Sequence, residues 1–177
     1  MIEGERLYAQ DETSHTYLSP FPIHFAGNQA GFNELYISSN GTVSFTDEST
    51  SNFKNLNLPT QTVNTLVAPY WDDLTVDKND SDIYVQVLGE SPNRRLIVEW
   101  WQMKNYRSTG VGTFEIIFYE NSPDIRFNYL DTNFSNALFD YGASATIGIQ
   151  TSREKALEFN FNKPNIRSQS SILFSIE

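Results

Sequence analysis

Apolar side chains recur at every second position along much of this sequence, and this alternation constrains the fold more than any other feature. Residues 83–88, 94–102, 113–120 and 124–130 all follow it. A period of two places alternate side chains on the same face of a β-strand. Because turn-forming residues separate these segments, we expect about ten short strands. The sequence therefore predicts an all-β fold, a two-sheet antiparallel β-sandwich of jelly-roll type.

The segment Glu34–Phe45 gives the clearest local signal, a hairpin that turns at Asn40-Gly41. A two-residue turn would distribute the apolar side chains over both faces of the hairpin. A three-residue loop over 39–41, with Gly41 in the left-handed conformation, pairs Ile37 with Val43 and places the apolar groups on one face. We therefore expect the three-residue loop.

The segment Tyr17–Phe25 places Phe21, Ile23 and Phe25 on one face, with prolines nearby. Proline lacks a backbone N–H and is tolerated at a sheet edge. This segment is therefore predicted to be an edge strand or the start of a strand. The polar stretch 46–64 is expected to be a long surface loop that buries a few of its side chains.

The segment Thr65–Asp73 sets apolar bulk directly beside concentrated charge. Leu66 to Ala68 is expected to be a buried strand, whereas Asp72 and Asp73 follow immediately. An unpaired buried carboxylate costs several kcal/mol, on the order of the penalties for buried ions. We therefore expect both carboxylates to reach water, a cation or hydrogen-bond donors.

Composition narrows the classes of partner. The chain has 177 residues, which is predicted to be one domain over 1–177, and its formal net charge of -10 disfavours nucleic acid and anionic membrane surfaces. It has no cysteine and hence no disulfide. Met1 to Gln10 lacks the pattern of a signal peptide, and no apolar run is long enough to span a membrane. The chain is thus expected to be cytosolic or a piece of a longer exported protein.

Clustered acidic residues raise the prospect of a Ca²⁺ site, because Ca²⁺ takes six to eight oxygen ligands. The stretch D-K-N-D-S-D begins like an EF-hand loop but lacks the central glycine and the final glutamate. An irregular site remains the prediction, and the alternative is a solvated turn with carboxylates that accept hydrogen bonds from a neighbouring loop. The candidate ligands are Asp72, Asp73, Asp77, Asn79, Asp80 and Asp82.

The tryptophans are candidate stacking surfaces for sugar rings. Strand alternation puts Trp100 and Trp101 on opposite faces, and Trp100 shares the apolar face. Trp101 is therefore the expected ligand-binding residue, together with Arg95 and Glu99 on its own face. The alternative is that the loop 46–64 covers Trp101.

Glu99 and Glu115 form the one pair that resembles the two carboxylates of a glycosidase. Sequence alone does not fix their separation, and outward glutamates on strands are normally solvent-side residues that pair with a cation such as Arg95 or Lys104. No serine or cysteine nucleophile has a credible histidine partner, and no glycine-rich phosphate loop occurs. The chain is therefore predicted not to be an enzyme.

Several segments in order resemble a known extracellular family. They are P-F-P-I-H-F-A-G, L-Y-I-S-S-N-G-T-V-S-F, L-V-A-P-Y-W-D-D-L, R-R-L-I-V-E-W and G-T-F-E-I-I-F-Y-E, and they extend from about Phe21 to Gln150. This pattern is similar to the nidogen-like (NIDO-type) β-sandwich modules and their bacterial relatives in adhesins and secreted multidomain proteins. The resemblance implies a non-catalytic extracellular or cell-surface module with neighbouring domains, which contributes to adhesion or binds a protein or glycan ligand. The alternative is a carbohydrate-binding module or a glycan-active enzyme.

Overall fold

Two antiparallel sheets packed face to face make up the computed structural model, which describes residues 3–46, 51–77 and 79–176. The all-β, two-sheet class predicted from the alternation is confirmed. Thirteen strands lie within the described residues, and two of them are only two residues long. The strands are β1 (Glu5–Arg6), β2 (Ser14–Ile23), β3 (Phe32–Ser38), β4 (Thr42–Ser44), β5 (Leu66–Trp71), β6 (Leu74–Thr75), β7 (Asp82–Leu88), β8 (Arg95–Asn105), β9 (Val111–Tyr119), β10 (Ser122–Asp131), β11 (Thr146–Ser152), β12 (Lys155–Phe161) and β13 (Ser170–Phe174).

The strand order separates the chain into a seven-stranded and a six-stranded sheet. The first has the order β1-β7-β8-β9-β10-β13, with β6 paired to β8, and the second has the order β12-β11-β5-β4-β3-β2. Within the described residues the only helical element is a short 3-10 helix at Asp140–Gly142. None of the helical structure described is long and apolar enough to cross a membrane.

The β3–β4 hairpin has the predicted register. Ile37 pairs with Val43 and Ser38 pairs with Thr42, so residues 39–41 form a three-residue loop. Gly41 adopts φ +74°, the left-handed region in which glycine is favoured. An added Cβ at Gly41 would lie 2.0 Å from the backbone oxygen of Tyr70, so the close packing of this turn on β5 also requires glycine.

Strand β2 lies at the edge of the six-stranded sheet, as its prolines predicted. Phe21, Ile23 and Phe25 are buried in the main core, whereas Pro20 and Pro22 are exposed. The aromatic groups of the main core continue between the sheets, where the Phe114 ring stacks on Trp100 and Tyr70 at centroid distances of 5.3 Å.

Strand β5 is buried on both faces, which explains its continuous apolar sequence. Val67 and Tyr70 belong to the main core, and Trp71 belongs to a second cluster on the other face. That second cluster lies beneath part of the loop 46–64, of which residues 51–64 are described: the Trp71 indole nitrogen donates to the Asn52 carbonyl at 2.8 Å. The described part of the loop therefore covers Trp71 and the outer face of the six-stranded sheet around it. Trp101 lies on the other sheet.

Candidate functional site

A row of polar side chains crosses the outer face of the seven-stranded sheet. Successive strands place its members directly opposite one another, because β7, β8, β9, β10 and β13 pair in this order. The residues before and after each member point into the core, so the row itself faces outward. Its members are Tyr84, Glu99, Glu115, Asn128 and Ser171.

Glu99 and Glu115 are direct cross-strand partners on β8 and β9. Side chains in such positions have Cβ atoms about 4.5–5.5 Å apart, and two like charges placed this way repel each other. Asn128, the next member of the row, donates from Nδ2 to Glu115 Oε1 at 2.7 Å and so stabilises that carboxylate. The sequence did not fix the distance between Glu99 and Glu115, and the structure shows that they are direct neighbours across two strands.

Glu99 is only 6% exposed, so the prediction that it is a solvent-side residue was wrong. The cation Lys104, one of its expected partners, binds Asp77 instead at 2.9 Å. Glu99 is thus buried although it belongs to the outward-facing row. The period-two pattern assigns a face to each side chain, but it does not report how much of an outward side chain is covered.

Trp101 lies outside the main core, as predicted, and it belongs to a β-bulge in β8. The β8–β9 register shifts between Trp100 and Met103, and Gln102 has φ +51° within the bulge. The Gln102 backbone N–H donates to Thr113 Oγ1 at 3.0 Å, which holds the bulge against β9. Trp100 is fully buried, and its indole nitrogen donates to the Ser38 carbonyl at 2.9 Å. Trp101 is half-buried on the opposite face.

Two adjoining clefts open on this outer face. One, of about 340 Å³, contains the Glu99 and Glu115 pair, and the other, of about 410 Å³, contains Trp101. Both volumes lie within the range typical of small-molecule sites, roughly 300–1,000 Å³. Residues shared by the two clefts join them into one groove, and these are Thr113, Leu130 and Gln169.

Arg95 is the predicted ligand-binding residue that the structure leaves outside this groove. It is exposed at the beginning of β8, opposite Tyr119. Arg95 and Glu99 are four positions apart on β8, so their Cα atoms are about 13 Å from each other along the strand. The structure thus brings Glu99 and Trp101 into adjoining clefts and places Arg95 apart from both.

The predicted Ca²⁺ ligands are distributed over separate interactions. Asp82 is buried and accepts from Arg6 Nε at 2.5 Å and from the Ala9 N–H at 2.8 Å. Asp77 binds Lys104, and Asn79 and Asp80 are exposed in the turn, next to residue 78, which is outside the described chain. Among the residues described, no group of three or more acidic, histidine or cysteine side chains is arranged to hold a metal ion. A Ca²⁺ site therefore stays a prediction without geometric support here.

Asp72 follows β5 into a buried position, where donors satisfy its carboxylate. Ser144 Oγ donates to one oxygen at 2.5 Å, and the Asp73 backbone N–H donates to the other at 2.9 Å. Burial nevertheless raises the pKa of Asp72 to about 6, and the Ser144 hydrogen bond opposes this rise. The pKa of Asp73 is also raised, first by burial and then by the charge of Asp11. The sequence predicts that these carboxylates reach water, a cation or hydrogen-bond donors, and Asp72 is satisfied by hydrogen-bond donors.

Sequence reasoning missed several residues of the groove. Asn128 was detectable in principle, because the alternation in 124–130 places it outward once the β9–β10 hairpin register is known. Gln169 carried no local signal: it precedes β13 and reaches the groove through pairing of distant segments, with its backbone N–H donating to the Leu130 carbonyl at 3.3 Å. Thr113 was also missed, because the β-bulge in β8 places it beside Trp101.

Comparison with known proteins identifies the family of this chain. Neither the curated proteins nor the solved structures contain a significant match. A family model described as NIDO related matches residues 3–173, nearly the whole chain. That span includes both sheets and every residue of the groove, and it agrees with the resemblance carried by the segments between Phe21 and Gln150. The chain therefore belongs to the NIDO-related family, a nidogen-like β-sandwich module of extracellular type.

Proposed function

We propose that this chain is a non-catalytic binding module of a bacterial surface or secreted protein, and that it contacts its ligand through the outer face of the seven-stranded sheet. The family supports the extracellular setting. The groove that joins the clefts of Glu99 and Trp101 supports the choice of face. Adhesion is the biological role in which such a contact serves a surface protein.

The observation that carries this proposal is the contrast between the two outer faces. Residues 51–64 pack on the part of the six-stranded sheet around Trp71 and bury this indole, so a ligand has no access to it. The seven-stranded sheet leaves a half-buried indole and the partly exposed polar groups Tyr84, Glu115 and Asn128 open to solvent. Concave sites with apolar walls and a few convergent polar groups are the usual form of a ligand site.

A second candidate, a glycan-active enzyme, is favoured by one observation. Glu99 and Glu115 are cross-strand partners, and retaining glycosidases place their two carboxyl groups about 5–5.5 Å apart. We prefer the binding role because Asn128 engages Glu115 and Glu99 is almost fully buried, which restricts both carboxylates. A nucleophile has to reach the anomeric carbon of the sugar.

A glycan array combined with a hydrolysis assay tests both candidates. The wild-type chain is expected to bind one or more saccharides, Trp101→Ala is expected to lose that binding, and no reducing sugar is expected to form. Release of reducing sugar that Glu115→Gln abolishes would establish the enzyme instead. Absence of saccharide binding by the wild type, or binding that Trp101→Ala leaves intact, would refute a saccharide ligand at this face.

A further inference from the structure

We infer that the groove binds a neutral oligosaccharide that extends across both clefts, and that it rejects acidic glycans. This inference rests on the proposed function and adds the chemical class, the charge and the extent of the ligand. It is carried by three features of the groove lining: its hydrogen-bonding groups, its apolar surface and the sign of its charge.

The first feature is a mixture of hydrogen-bond donors and acceptors. Amides, hydroxyls and carboxylates line the two clefts, and each sugar hydroxyl both donates and accepts. The carboxylate of Glu115 accepts hydrogen bonds only, and bonds to ionised acceptors are shorter and stronger than neutral ones. Asn128 holds Glu115 in place through Oε1, so the carboxylate is oriented before a ligand arrives. The uncharged polar side chains of the groove are Gln102, Thr113, Asn128, Ser168 and Gln169.

The second feature is an apolar platform. Trp101 is half-buried in one cleft, and Leu130, which is 56% exposed, lines both. The C–H faces of a sugar ring pack on such surfaces, and an indole that is already partly immobilised loses little conformational freedom on binding. Together these two side chains give the groove an apolar surface on which a sugar ring can pack.

The third feature is the sign of the charge. Glu99 and Glu115 line one cleft and Asp131 lines the other, whereas no lysine, arginine or histidine of the described chain lines either. The whole chain carries a formal net charge of -10. A ligand with carboxylate or sulfate groups would therefore enter a negative potential and be repelled. Neutral hydroxyls meet no such penalty.

The extent of the ligand follows from the continuity of the clefts. Trp101 and the Glu99–Glu115 pair lie in different clefts, and the shared residues Thr113 and Leu130 join them. A single sugar ring that stacks on Trp101 would leave the carboxylate pair unused. An oligosaccharide satisfies both clefts at once, so the affinity is expected to rise with chain length.

Isothermal titration with oligosaccharides of matched length tests the inference. Three classes are compared: neutral oligosaccharides, oligosaccharides that contain uronic acid, and oligosaccharides that contain free amino groups. The variants are Trp101→Ala, Glu115→Gln and Gln169→Ala, and the last is an exposed position that carries little risk of unfolding. Phe53→Ala is the control, because Phe53 is 52% exposed in the loop over the other sheet.

The expected result is binding of neutral oligosaccharides that Trp101→Ala abolishes. Glu115→Gln and Gln169→Ala should each weaken this binding about tenfold, the size expected for one lost hydrogen bond. Phe53→Ala is expected to bind as the wild type does, and uronic acid oligosaccharides are expected not to bind. Three results would overturn the inference: equal binding of acidic oligosaccharides, exclusive binding of amino oligosaccharides, or no effect of Glu115→Gln and Gln169→Ala. The proposed function would still stand if Trp101→Ala abolished the binding that is observed. Loss of Trp101 dependence would overturn both.

Discussion

Replacement of Asp72 by asparagine should stabilise the protein at neutral pH and not at acidic pH. Asp72 is 5% exposed at the end of β5, where Ser144 Oγ and the Asp73 N–H donate to its two oxygens. The Asn105 amide lies nearby and also lowers the pKa of Asp72, although its Nδ2 makes no hydrogen bond of standard geometry among the described residues. Asparagine keeps the shape and one acceptor, and its amide can donate to Ser144 Oγ.

The magnitude follows from the pKa of the buried carboxylate. Burial raises the pKa of Asp72 from 3.8 to about 6 in the folded protein. A shift of about two units corresponds to about 3 kcal/mol of differential stability between the two protonation states. Because the folded pKa is the higher one, the folded state holds its proton more tightly than the unfolded state. The contribution of Asp72 to stability is therefore complete below pH 3.8 and is lost as the pH rises to about 6.

Denaturant unfolding of the wild type and Asp72→Asn at several pH values between 4 and 7 measures this effect. The stability of the variant relative to the wild type should rise by about 3 kcal/mol over this interval, which corresponds to on the order of 5–10 °C in Tm. Asp80→Asn, the same charge change at an exposed position, is the matched control. A stability difference between Asp72→Asn and the wild type that stays constant with pH would refute the reasoning.

Three further predictions concern the turns, an ion pair and the metal. Gly41→Ala should cost several kcal/mol, because its Cβ would meet the Tyr70 carbonyl at 2.0 Å, whereas Gly27→Ala, with φ +72° and open space around it, should cost only about 1 kcal/mol in thermal unfolding. The hydrogen bond from Arg94 lowers the pKa of Glu120 to about 2, so the pair should stabilise the fold above pH 4.5 and lose this effect as the pH falls towards 2. In acid unfolding experiments, Arg94→Ala should therefore not show the part of the stability loss that is due to this pair. A Ca²⁺ site with a Kd of about 10 µM should raise the free energy of unfolding by about 2.7 kcal/mol in about 1 mM Ca²⁺ relative to EDTA, and identical melting curves would exclude it.

The fold was largely predictable because its information is local. Alternation and a turn of three residues were sufficient to set the register of the β3–β4 hairpin, in which Ile37 faces Val43. The β9–β10 hairpin followed equally from its sequence, with Phe114, Ile116 and Phe118 opposite apolar partners on β10. In both cases the interacting residues are close along the chain, so period and turn length determine the pairing.

The site was less predictable because it depends on contacts between distant segments. Glu99 and Trp101 were recognised by their strand position, but the alternation along β8 does not signal that Glu99 is buried. The polar loop before β5 was predicted as a possible cover for Trp101, and its described part covers Trp71 instead. Strand alternation distinguishes two faces of a sheet. It does not indicate which outer face a loop will cover.

The covered face and the open face have different energetic consequences, and these bear on function. On the six-stranded sheet the loop 51–64 adds apolar contacts through Leu58 and Val63, so that face contributes to stability. On the seven-stranded sheet Glu99 and Glu115 oppose each other at close range, an arrangement that reduces stability relative to an apolar pair. Local departures from the packing rules are expected where a protein binds or reacts. A ligand that engages Glu115 would be consistent with this expectation, which makes this face rather than the acidic turn the one to test for binding.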